Sequence, residues 1–115
     1  MSTKIKVRRS GDVSILDVSG RITLGEGTVG LRDAVHRELD AGNKKILLNL
    51  ADVSYMDSSG IGELTSAYSS VKNRGGDIKL VNLTKKVDGL MQITKLVTVF
   101  DISNDENAAV ASFQS

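Results

Sequence analysis

The sequence predicts an α/β domain: one small mixed β-sheet, opened by an antiparallel hairpin and continued by parallel strands, with about four helices packed on it. Three observations carry this expectation. Residues 4–19 alternate apolar and polar side chains around the turn formers Ser10-Gly11-Asp12, the pattern of a hairpin. From residue 44 onward, short apolar runs alternate with segments of helical spacing, which implies parallel strands joined by right-handed crossovers. At 115 residues with no proline to interrupt an element, the chain is expected to form one domain over residues 1–115, long enough for one core and too short for two.

Each element has its own signal. Ile5 and Val7 alternate with Lys6 and Arg8, and Val13, Ile15, Leu16 and Val18 supply the second arm of the hairpin. Leu31, Val35 and Leu39 recur at helical spacing with Ala34 beside them, and Gly42 offers a C-terminal cap. Residues 46–50 form a nearly continuous apolar run, expected of a strand covered on both faces. Ile61, Leu64, Tyr68 and Val71 mark one face of a second helix that stops at Gly75-Gly76. Ile78, Leu80, Val81 and Leu83 give the next strand. Val87, Leu90, Met91 and Thr94 give a third helix, residues 96–102 a short last strand, and residues 104–113 a closing helix.

Composition excludes several function classes. Fifteen Lys and Arg face fourteen Asp and Glu, and the four aromatics are Tyr55, Tyr68, Phe100 and Phe113. Neither a basic face nor a base-stacking platform is expected, so direct nucleic-acid binding is not. No run approaches the roughly 20 apolar residues of a membrane span, and Met1-Ser2-Thr3-Lys4 lacks a signal peptide's apolar stretch. The absence of cysteine removes disulfides, thiolate metal sites and cysteine nucleophiles. A cytoplasmic protein without cofactor or metal is the expectation.

The most informative stretch is Tyr55-Met56-Asp57-Ser58-Ser59-Gly60-Ile61-Gly62, where an apolar strand hands over to a helix N-terminus. A helix start has unpaired N–H groups and partial positive charge, so it can be capped by Ser and can accommodate a phosphate. Gly60 and Gly62 flank Ile61 and cost about 1 kcal/mol each relative to Ala in a helix. They leave the first turn without side chains that would block an approaching partner. Local chemistry leaves two readings open. Ser58 or Ser59 caps the helix while Asp57 complements its dipole, or Ser58 is a regulatory site.

This stretch, with the strand before it, resembles the signature of the STAS domain family and matches closely the stand-alone anti-sigma factor antagonists of bacteria. The resemblance extends over essentially the full length, including Val18-Ser19-Gly20-Arg21-Ile22 and Gly75-Gly76. It implies that Ser58 is phosphorylated by an ATP-dependent serine kinase that is also the anti-sigma factor. The unphosphorylated protein then binds the kinase and frees the sigma factor; the phosphorylated form lets go, and a PP2C-type phosphatase restores it. By the same resemblance, Asp57, Ser59, Gly60, Ile61, Gly62 and Glu63 form the switch loop and partner surface. Asp57 either orients or helps present the Ser58 hydroxyl, or only complements the helix end. Such a chain is a protein substrate and needs no catalytic residues. Relatives often carry Asp where this chain has Thr23, which bears on partner specificity more than on fold. A scaffold or adaptor role in another signalling or transport assembly is the alternative.

Other features point less far. Gly25-Glu26-Gly27-Thr28-Val29-Gly30 matches the dinucleotide pattern G-x-G-x-x-G, but the preceding strand ends several residues too early. A flexible loop beside the switch is expected instead. His36 is the only histidine, on a predicted helix, and Ser58 lacks a G-x-S-x-G elbow, so a hydrolase has little support. Lys44-Lys45 and Lys85-Lys86 read as solvated ends of elements, and Thr84 as a helix N-cap. Glu63, Ser66, Ser70 and Asn73 are expected on the exposed face of the second helix. Self-association through the hairpin edge stays open, so a monomer or weak dimer is expected.

Overall fold

A computed structural model describes residues 3–113. The strands are β1 (Lys4–Ser10), β2 (Val13–Ile22), β3 (Lys45–Met56), β4 (Asp77–Val81) and β5 (Ile102–Ser103). The helices are α1 (Glu26–Asp40), α2 (Ser58–Asn73), α3 (Lys85–Ile93) and α4 (Glu106–Ala111), with a single 3₁₀ turn at Leu96–Thr98. The five strands lie side by side in chain order. The β1–β2 pair is antiparallel and the other three pairs are parallel, as the sequence predicts.

Covering both faces of the sheet explains the continuous apolar run in β3. Ile46 and Leu48 join Leu16, Leu31, Val35, Leu64, Val71 and Met91 in a core beneath α1, α2 and α3. Leu47 points the other way, with Val13, Ile15 and Val81, into a smaller cluster closed by Ala109 and Phe113. A six-residue helix is too short to hold itself together in water, so α4 depends on that cluster and on polar ties. Arg8 grips Asp17 (Nε to Oδ2, 2.6 Å) and Glu106 (Nη2 to Oε1, 2.6 Å), linking the hairpin to the start of α4. Lys79 donates to the Ser112 carbonyl at 2.9 Å.

Four expectations change. The strands β2 and β3 run on to Ile22 and Met56, past the expected ends near 19 and 50. Register shifts at Asp17/Ser19 and Gly20/Arg21 re-aim the side chains, so only Val53 and Met56 of the β3 extension turn inward. The glycine-rich segment is not a loop: Gly25, at φ +102°, is the N-cap and the rest winds into α1. Packing explains it, since a Cβ on Gly27 would lie 2.6 Å from the Arg21 carbonyl oxygen. The expected strand over 96–102 is mostly the 3₁₀ turn, because Leu96 and Phe100 are both buried at a four-residue, helical separation. Last, the closing helix expected over 104–113 is confined to Glu106–Ala111, with Asp105 as its N-cap.

Candidate functional site

The ends of β2 and β3, the loop at residues 23–25 and the first turn of α2 meet at the C-terminal ends of these parallel strands, a usual place for functional loops in such sheets. Asp57 organises the meeting. Its extended backbone (φ −101°, ψ −174°) makes it the N-cap of α2, a geometry that carboxylates favour. One carboxylate oxygen, Oδ1, accepts from the Gly60 N–H at 3.0 Å, and the other, Oδ2, accepts from the Leu24 N–H at 3.3 Å. The Asp57 N–H donates to the Ile22 carbonyl at 3.4 Å. One residue thus ties three segments together.

With Asp57 as the cap, neither serine caps the helix, contrary to the capping reading. Ser58 is exposed and Ser59 is half-buried. Among the described residues, neither Asp57 oxygen nor any other group bonds the Ser58 hydroxyl. The Ile61 N–H already donates to the Asp57 carbonyl at 3.1 Å. The unpaired N–H groups of the first turn are therefore those of Ser58 and Ser59, which leaves helix-end positive potential beside an exposed hydroxyl.

The glycines divide. A Cβ on Gly60 would collide with the Ile22 carbonyl and lie 2.5 Å from Met56 Cγ, so this glycine serves internal packing rather than partner access. Around Gly62 nothing lies within 4 Å of an added Cβ. Ile61 packs half-buried against the core. Glu63 corrects the expectation of exposure: it is 5% exposed and accepts from Arg32 Nη2 at 2.8 Å, across the α1–α2 contact. Its carboxylate holds the Arg32 guanidinium protonated more firmly than usual.

Two residues of this region escaped the sequence reading. Leu24, 79% exposed, sits between Thr23 and Gly25; an apolar residue in a loop of small residues is the signal that could have found it. Arg32 had no local signal, because its partner lies 31 residues away in the chain. Beyond the site, His36 Nε2 lies 3.4 Å from Ser70 Oγ across the helix pair. Thr84 caps α3, accepting from the Val87 N–H, as expected. Lys45 pairs with Asp12 at 2.7 Å. Among the described residues no group of three His, Cys, Asp or Glu could hold a metal ion, and no helix is long and apolar enough to cross a membrane.

Comparison with known proteins gives a consistent picture. A family model described as the STAS domain matches residues 4–109. The anti-sigma-B factor antagonist of Bacillus subtilis (strain 168) is 31% identical over 110 residues, spanning 96% of this chain and 99% of the relative. A crystal structure of a putative anti-sigma factor antagonist from Thermotoga maritima superposes with a TM-score of 0.88 at 26% identity, covering 96% and 95% of the two chains. The Bacillus cell fate determinant SpoIIAA in its phosphorylated form shares the fold, with a TM-score of 0.74 at 17% identity and coverage of 96% and 100%.

Proposed function

This chain belongs to the STAS domain family, and we propose that it acts there as an anti-sigma factor antagonist switched by phosphorylation of Ser58. Unphosphorylated, it binds an anti-sigma serine kinase and frees a sigma factor. In the switching step, Ser58 Oγ attacks the γ-phosphorus of ATP; the new O–P bond forms as the bond to ADP breaks, and the hydroxyl proton leaves to a base of the kinase. A PP2C-type phosphatase returns the serine by hydrolysis, releasing inorganic phosphate. The protein is substrate and ligand in this scheme, not catalyst. The observation that carries the reading is an exposed Ser58 hydroxyl, free of the capping duty that Asp57 performs.

Magnitudes favour a switch that acts at the interface. A phosphoserine carries about −1.5 to −2 charges. Within the domain, the helix end stabilises that charge by about 0.3–1 kcal/mol, so the fold has no reason to change. Pressed against a partner, the same group stands beside Asp57 and loses water. Like charge and desolvation then cost several kcal/mol, on the order of 10²–10³ in affinity. The interface effect is the larger.

Phosphopeptide mapping of the protein from its native cells, with Ser58→Ala as control, tests the reading. Phosphate on Ser58, absent from the variant, supports it and makes pull-down with the unphosphorylated form the route to the kinase. A Ser58 that stays unmodified across growth and stress conditions would overturn it in favour of a constitutive adaptor.

A further inference from the structure

Asp57 does more than cap a helix. Its second oxygen reaches out of α2 to hold the Leu24 N–H at 3.3 Å, and Gly25 turns the chain immediately afterwards at φ +102°. Leu24 is thus fixed on both sides by backbone constraints, yet its side chain is 79% exposed, the most exposed large apolar side chain among the described residues. Single exposed apolar residues are ordinary, but this one has company. Of the six exposed large apolar residues described, Leu24 and Tyr55 belong to the two segments that Asp57 joins to Ser58: the loop at 23–25, through the Leu24 N–H, and the end of β3, which leads into it. A backbone held in place before binding leaves only the side chain to be ordered when a partner covers it.

We propose that Leu24 is the apolar anchor by which the serine kinase recognises this protein, and that Asp57 is a positioning residue holding Leu24 beside Ser58. The inference rests on the kinase reading above and names the surface the kinase reads. The partner then carries an apolar pocket next to the site where its ATP meets the hydroxyl. Phosphoryl transfer is the step already written; Leu24 takes no part in it and acts through binding alone. Burying one leucine side chain is worth about 10- to 100-fold in affinity. Loss of Leu24 should therefore appear in KM and leave kcat unchanged.

Asp57→Asn leaves one of the two duties of the carboxylate filled, and Asp57→Ala leaves neither. An asparagine offers one carbonyl oxygen and turns an NH₂ toward the other site, so it can serve the Gly60 N–H or the Leu24 N–H but not both.

The test uses the protein over residues 1–115, ATP with magnesium, and the kinase recovered by pull-down with the unphosphorylated form, with initial rates measured over protein concentration. We expect Leu24→Ala to raise KM about tenfold or more at unchanged kcat. Val7→Ala, an exposed apolar truncation on the edge strand β1, should leave both constants alone. Asp57→Ala, which removes both acceptors, should raise KM and speed hydrogen exchange at the Leu24 amide. A wild-type KM for Leu24→Ala, with Ser58 of the parent protein phosphorylated normally, overturns the anchor while leaving the kinase reading intact. Unchanged exchange at Leu24 in Asp57→Ala overturns the positioning role. Failure of the kinase to phosphorylate the parent protein overturns the kinase reading and the anchor with it.

Discussion

The same substitution, made two residues apart in α2, should act with opposite sign. In Gly62→Ala the added methyl meets nothing within 4 Å, so the helix gains the full propensity difference of about 1 kcal/mol. In Gly60→Ala the gain is similar, but the methyl lies 2.5 Å from Met56 Cγ and against the Ile22 carbonyl. Met56 can turn away; the Ile22 carbonyl cannot, because it is strand backbone that also accepts from the Asp57 N–H. Overpacking of this kind costs about 1–3 kcal/mol, and a backbone neighbour places this case toward the upper part, for a net loss of about 1–2 kcal/mol. Urea unfolding followed by circular dichroism reads both. With a slope of about 2 kcal/mol per molar urea, the midpoint should rise by about 0.5 M for Gly62→Ala and fall by about 0.5–1 M for Gly60→Ala. A Gly62→Ala midpoint below that of the parent, or a Gly60→Ala midpoint above it, would refute the assignment of these two glycines to access and packing.

Two further predictions concern charge. Hydrogen bonds from Arg8 hold the carboxyls of Asp17 and Glu106 below the usual range. A depressed folded-state pKa contributes stability that is present above the unfolded value and is lost as pH falls through the folded one; the urea midpoint should therefore decline below about pH 4, and less steeply in Arg8→Ala. In the α1–α2 contact, Arg32 is half exposed while Glu63 is buried, so the two ends of the pair are not equivalent. Arg32→Ala strands a buried carboxylate and should lower the midpoint more than Glu63→Gln, which keeps an acceptor for a guanidinium that can reach water; equal midpoints for the two variants would contradict this.

What the sequence made legible follows from what is local. Alternation in residues 4–19 and helical spacing at Leu31, Val35 and Leu39 report their own environment, and those elements stand where expected. The overlap of β2 with the far half of β3 was hidden because register shifts break the period of two, leaving Val53 and Met56 three apart on the buried side. The reason for Gly60 lies in Ile22, and that for Glu63 in Arg32, both more than thirty positions away. In the turn itself, the pairing of a carboxylate with two serines announced a helix start, but not which residue would cap it. Asp57 takes the cap, and its second oxygen finds a partner in the Leu24 N–H, thirty-three positions away and so out of reach of a local reading.

A sheet whose strands sit in chain order never needs a late strand threaded between two that have already paired. The ribosome can therefore deliver it one neighbour at a time, each new strand finding its predecessor waiting, although every parallel pairing still closes a long crossover, as between Val13 and Lys45. The exception is the face carrying Val13, Ile15, Leu47 and Val81, which stays uncovered until Ala109 and Phe113 arrive, after all five strands. Until they arrive the sheet is a half-finished layer with one greasy side. Its earliest strand, studded with Lys4, Lys6, Arg8 and Arg9, guards the open edge against unwanted pairing during that wait.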